Sequence, residues 1–187
     1  MYLIDIDEKY PNNYWLEYDT NIFPDSLSLK IGKPVNPNDF KDIYLSAKSN
    51  ASIKNLTSYD YLFSNGPDVI SKRLAKLLTN FSKDSIQLLE TKIRHKGKFH
   101  EGFYIVNYLS IQEAFDMANC IYKPIIDFLP DGPKKFTKIT LIDLQTEKSI
   151  FRCKECLSEV AISNDVAREI KESNIKGIQL LEKKLRL

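Results

Sequence analysis

Apolar residues at Ile70, Leu74, Leu77, Leu78 and Phe81 recur every three or four positions, a spacing that predicts an amphipathic helix from about Asp68 onward. Ser71 is placed to cap it, because its hydroxyl can accept a hydrogen bond from a backbone N–H one turn in. The pattern then switches to runs that read as strands, Ile86-Gln-Leu-Leu-Glu-Thr-Lys-Ile and Gly102-Phe-Tyr-Ile-Val-Asn-Tyr-Leu. The polar stretch Arg94-His-Lys-Gly-Lys-Phe-His100 joins them, which predicts a β-hairpin with a glycine in its turn. A second hairpin is expected from Lys138-Ile-Thr-Leu-Ile-Asp-Leu and Ser149-Ile-Phe-Arg-Cys around Gln145-Thr-Glu-Lys. Between the hairpins, residues 111–127 read as a helix, although Pro124 argues for a break inside it.

The first 65 residues differ from this. Aromatic residues alternate with turn formers in Tyr10-Pro-Asn-Asn-Tyr-Trp-Leu, Ile22-Phe-Pro-Asp-Ser and Gly32-Lys-Pro-Val-Asn-Pro-Asn-Asp-Phe, leaving room only for short strands and loops. A chain of 187 residues suits one ordinary domain, here an irregular aromatic part (1–65) followed by a regular part (66–187). The fold class is α+β, with mostly antiparallel sheet and a few packed helices.

A gapless self-similarity runs through the regular part. Ile70-Ser71 and Ile86-Gln-Leu-Leu-Glu90 return 92 positions later as Ile162-Ser163 and Ile178-Gln-Leu-Leu-Glu182. The pattern is a Ser-capped helix followed by a strand, used twice, from internal duplication or from convergence. Ser163 is then the second N-cap, and Asn174 or Gly177 supplies the left-handed residue that closes the second helix.

Composition and charge narrow the function classes. With 43% hydrophobic and 28% charged residues the chain is globular, and 27 basic against 25 acidic residues give no long-range field that would draw nucleic acid or an anionic membrane. The acidic start, Met1-Tyr-Leu-Ile-Asp-Ile-Asp-Glu, lacks the features of an export signal, and the apolar stretch 121–129 is too short and too interrupted to span a bilayer. Three cysteines fit a reducing compartment, so a cytoplasmic location is expected.

Candidate chemistry is sparse. Cys153-Lys-Glu-Cys156 has the spacing of a zinc knuckle or a redox pair, but Cys120, His95 and His100 would have to converge on it to complete a metal site. Zinc, redox and incidental thiols all stay open. Lys92, Arg94, Lys96 and Lys98 gather with both histidines at the first hairpin tip, suiting phosphates, an acidic partner surface or a solvated turn. Lys134-Lys-Phe-Thr-Lys138 is a second basic cluster. No nucleophile elbow, Walker loop or zinc-protease motif is present, and Asp5 and Asp7 read as solvated strand-end carboxylates. No enzyme, cofactor or resident metal is expected.

The motifs Gly66-Pro-Asp-Val-Ile-Ser-Lys-Arg-Leu-Ala-Lys-Leu-Leu, Ile86-Gln-Leu-Leu-Glu, Phe103-Tyr-Ile-Val-Asn-Tyr-Leu, Ala114-Phe-Asp, Ser149-Ile-Phe-Arg, Val160-Ala-Ile-Ser and Ile175-Lys-Gly-Ile-Gln-Leu run in order over about two-thirds of the chain. In this order the chain resembles the immunity proteins of bacterial polymorphic toxin systems, the group typified by a myxobacterial immunity protein. It departs from that pattern after Asp116, where Met117-Ala-Asn-Cys stands in place of an expected serine. The resemblance implies a non-catalytic inhibitor that binds a cognate protein toxin in the cytosol. Its contact surface is expected on the aromatic region, at Trp15 and Tyr18, or on the basic hairpin. The rival readings are a binding or regulatory module with another partner, and a small hydrolase or nuclease using acidic residues.

Overall fold

A computed structural model describes residues 1–129, 131–142 and 148–185. Among these it contains thirteen strands and three short helices. The strands are β1 (Tyr2–Ile6), β2 (Tyr44–Ser46), β3 (Tyr61–Leu62), β4 (Val69–Ser71), β5 (Ile86–His95), β6 (Lys98–Tyr108), β7 (Ile111–Gln112), β8 (Ile121–Pro124), β9 (Lys134–Thr140), β10 (Ile150–Cys153), β11 (Cys156–Ile162), β12 (Ile178–Leu181) and β13 (Lys183–Leu185). The helices are α1 (Ile53–Leu56), α2 (Lys72–Ser82) and α3 (Asn164–Glu172). The class is α+β with the helices in the minority.

The predicted hairpin is β5 and β6, and it forms the spine of the first sheet, ordered β2-β5-β6-β4-β3. Its turn residues Lys96 and Gly97 both take positive φ, 49° and 78°, the handedness that lets a two-residue turn follow the twist of its strands. A bulge at Glu101–Gly102, opposite Lys92, shifts the register, and Gly102 takes φ 91°. Both faces of this spine are buried along residues 103–108, whereas its tip is exposed. Leu89, Ile93, Phe103 and Ile105 enter one core with Leu16, Tyr18 and Leu45, while Ile86, Val106 and Tyr108 enter another with Leu74, Leu78 and Ile170.

Residues 16–17 join the two sides of the sheet. Leu16 bridges Ser64 beyond β3, and Glu17 exchanges both backbone hydrogen bonds with Ser46 at the end of β2. The ring of hydrogen bonds this completes closes the sheet as in a barrel. The irregular first part is thus the closing segment and inner filling of the sheet, and its three 3₁₀ turns carry Tyr14, Leu29 and Phe40 into the core.

The second sheet runs β12-β1-β11-β10-β7, and a third, three-stranded one runs β13-β9-β8. Pairing is antiparallel except for β2 with β5 and β7 with β10. In the first sheet Ile105 of β6 lies between Val69 and Leu89; in the second, Leu3 of β1 lies between Ala161 and Leu181. Val69 and Ala161 stand 92 positions apart, and so do Leu89 and Leu181. The two strand–helix–strand units therefore share one register around a middle strand, which follows by a tight turn in the first unit and comes from the opposite end of the chain in the second.

Both expected N-caps are present: Ser71 Oγ accepts from Leu74 N–H at 3.2 Å, and Ser163 Oγ from Val166 N–H at 3.4 Å. The first helix starts at Lys72, so Ile70 belongs to β4. Asn174, φ 50°, is the left-handed residue after α3, while Gly177, φ 101°, faces Tyr61 of β3.

Two expectations fail. Residues 111–127 hold no helix, because their backbone donors and acceptors are engaged elsewhere. Gln112 C=O accepts from Lys154 N–H, the Glu155 carboxylate takes the N–H groups of Ala114 and Phe115, and Asp116 N–H goes to Thr140. Pro124 lies in β8. The second hairpin does not form either, since β9 pairs with β8 and β13 whereas β10 pairs with β11 and β7. Residues 143–147, where most of its expected turn falls, lie outside the described residues.

Candidate partner-binding surface

The two regions singled out from sequence, the basic hairpin and the aromatic first part, meet at one end of the closed sheet. Parallel pairing of β2 with β5 sets Ser46 beside Arg94 and Tyr44 beside Lys92. The Arg94 guanidinium lies 4.5 Å from the centre of the Tyr44 ring and donates to Tyr44 Oη at 3.0 Å and Ser46 Oγ at 3.1 Å. Tyr44 makes edge contacts with Phe23 at 5.0 Å and with Phe99 at 5.4 Å, Phe99 being the cross-strand partner of Arg94. Phe99 is 52% exposed. A cleft of about 480 Å³ opens beside this row, lined by Glu17, Asp19, Tyr44, Ser46, Asn65 and Arg94.

The remaining expected contact residues divide. Lys92 pairs with Glu101 at 3.1 Å across the bulge, and both side chains are exposed. Lys96 and Lys98 are exposed at the turn. Tyr18 borders the cleft but is a core residue. Its hydroxyl donates to Pro24 O at 2.6 Å, and burial, with a smaller push from Asp25, raises the phenol to about 12. Trp15 is partly exposed and leans on Phe63, ring centres 5.9 Å apart. Sequence reasoning missed Tyr44 and Phe23. Tyr44 occupies a three-residue strand whose neighbour in space comes 48 positions later, a pairing no local pattern encodes.

The other candidate groups are occupied structurally. His95, placed by the sequence at the hairpin tip, is buried inside the sheet. Cys153 and Cys156 face each other across the first pair of the β10–β11 hairpin, and all three thiols are free. Burial, reinforced by Glu159 and Glu155, pushes the Cys153 thiol well above its ordinary value. That opposes a redox role, which needs a stabilised thiolate. Among the described residues no three His, Cys, Asp or Glu side chains gather as a metal would require. Asp5 pairs with Lys184 at 3.0 Å, and Asp7 accepts from Lys9 N–H. No helix among the described residues is long and apolar enough to cross a membrane.

Compared with known proteins, the chain matches no family model, and no curated protein matches it.

Proposed function

We propose that this chain is a non-catalytic immunity protein that binds a cognate toxin in the cytosol of the producing cell and blocks it by covering a surface. The observation that carries this reading is Arg94, held over Tyr44 between Phe23 and Phe99. Arginine and large aromatics are the residue types that dominate binding energy at protein interfaces, and here the arginine is already oriented before contact. Its partner would present carboxylates to Arg94, Lys96 and Lys98, with an apolar ridge meeting Phe99. The motifs that carry the family resemblance support it differently: all but Ala114-Phe115-Asp116, which lies between β7 and β8, fall on β4, α2, β5, β6, β10, β11 and β12, the scaffold, which leaves the surface loops free to vary with the toxin.

The test is growth rescue. The product encoded immediately upstream, expressed alone, is expected to lower colony counts, and co-expression of this chain to restore them. Arg94→Ala combined with Phe99→Ala should weaken binding ~100-fold without changing the thermal midpoint. A toxic neighbour that this chain does not rescue removes the immunity reading in favour of a binding module with another partner.

We also infer that the two strand–helix–strand units arose by duplication. The shared register around β6 and β1 supports this more strongly than the matched residues alone. In relatives of this chain the 92-residue offset should persist without gaps; offsets that scatter would indicate convergence.

A further inference from the structure

We propose that the loop joining β8 to β9 docks on an anionic lipid surface, a role independent of the toxin-binding reading. Beyond the last pair of this ribbon, Pro124 with Lys134, stand Ile125, Ile126, Phe128 and Leu129, all exposed, Phe128 at 89%. Ile121 is exposed on the strand below. The described residues of the loop are tied by turns: Ile125 N–H donates to Pro133 O at 2.8 Å, Leu129 N–H to Ile126 O at 2.9 Å and Gly132 N–H to Leu129 O at 2.9 Å. These turns satisfy the backbone while leaving the large side chains outside, the reverse of what burial in this chain's own core would produce.

The charges around the loop indicate what covers it. Lys123 faces Lys135 directly across the ribbon, and like charges in that position repel unless an anion lies nearby. Lys134 and Lys138 add to the collar, and Tyr122 sits among them, its ring centre 5.8 Å from the Lys134 ammonium. Asp127 and Asp131 are the opposing charges on the ribbon itself, which therefore keeps a net positive charge; beneath it Glu113, paired with Lys154, and Glu155, bonded to the Ala114 and Phe115 N–H groups, line the cleft beside Asp131 and Lys134. An apolar apex above a belt of lysine and tyrosine suits a bilayer interface, where the apex enters the acyl boundary and the lysines reach anionic headgroups. A second copy suits it less. An isologous contact would set Lys123 and Lys135 against their own counterparts, and Pro124 with Lys123 blunts the exposed edge of β8 against strand pairing. Overall charge is nearly balanced, so this local collar does not show in composition.

The full chain should sediment with vesicles of mixed phosphatidylglycerol and phosphatidylcholine, not with phosphatidylcholine alone, and added salt should release it. Ile125→Ser with Phe128→Ser should lower partitioning at least ~10-fold, and Lys123→Ala with Lys135→Ala by a similar factor, at unchanged thermal midpoints. Phe128→Trp should be quenched by brominated lipid, while Trp15 in the parent chain is not. Equal or absent binding to both vesicle types overturns the proposal. So does a concentration-dependent dimer abolished by Phe128→Ser, or protection of Phe128 by a co-purified acidic protein without vesicle binding. None of these outcomes bears on growth rescue, so the two readings fail separately.

Discussion

Replacing Gly177 with alanine is expected to lower the thermal midpoint by roughly 10–15 °C, corresponding to about 4 kcal/mol in a domain of this size. An added Cβ would sit 2.2 Å from the Tyr61 carbonyl oxygen and 3.1 Å from the Tyr59 ring, with φ at 101°. Neither neighbour yields easily. Tyr61 N–H and Asp60 N–H both donate to Lys176 O at 3.0 Å, and Asp7 N–H donates to Gly177 O, so the contact is backbone pressed against backbone on three strands of chain. Gly97→Ala is the control, because Gly97 also has positive φ, 78°, but its Cβ would meet nothing within 4 Å. The control isolates the dihedral cost, about 1–2 kcal/mol. Equal midpoint losses at the two sites would show that the close approach to Tyr61 contributes nothing.

Asp60→Ala should be nearly as damaging, at about 3 kcal/mol. This carboxylate, only 4% exposed, accepts from Ser71 Oγ at 2.7 Å, Arg73 Nε at 3.0 Å and Lys176 N–H at 3.0 Å, and pairs with Arg73 Nη2. Arg73 in turn donates to the carbonyls of Ser173 and Asn174 just past α3. One side chain therefore links the start of α2, the end of α3 and the strand before β4. Burial alone would raise the Asp60 carboxyl, but the bonds from Arg73, Lys176 and Ser71 outweigh it and hold the group below its ordinary value. Since the folded-state pKa is the lower one, the stabilisation is complete above the ordinary carboxylate range and disappears as pH falls through the folded value. Denaturant midpoints measured from neutral to strongly acidic pH should thus fall less steeply in Asp60→Asn than in the parent. Parallel curves would assign the acid loss to other carboxylates.

How much of this was legible in the sequence depends on the range of the interaction involved. The β5–β6 hairpin could be read because its alternation and its Lys96-Gly97 turn are local, and the caps Ser71 and Ser163 act within one turn. Residues 111–127 misled for the opposite reason. Their helical spacing is real, but Glu155 and Thr140 capture the backbone donors from 40 and 24 positions away. The second hairpin failed on partner choice: β9 has the alternation of a strand, yet nothing within it says that Lys183–Leu185 and Ile121–Pro124 lie alongside. The candidate surface was half visible. Arg94 stood out as charge, whereas the Tyr44 ring beneath it was brought there by a parallel pair whose strands are far apart in sequence.

The position of β1 has a consequence in time. During synthesis its residues emerge before its partners: the strands on either side of it, β11 and β12, are translated about 150–175 residues later, an interval of roughly 10–30 s at ordinary ribosomal speeds. Hairpins such as β5–β6 form on a timescale of about 1–10 μs, far shorter than that interval. The nascent chain must therefore carry Leu3, whose core partners are Ala114, Phe115, Phe136, Ile139, Phe151 and Ala161, unburied while the first sheet assembles. The ribosome-bound chain is then a half-finished molecule with an adhesive strand awaiting its partners, and the rate of translation itself becomes a determinant of yield.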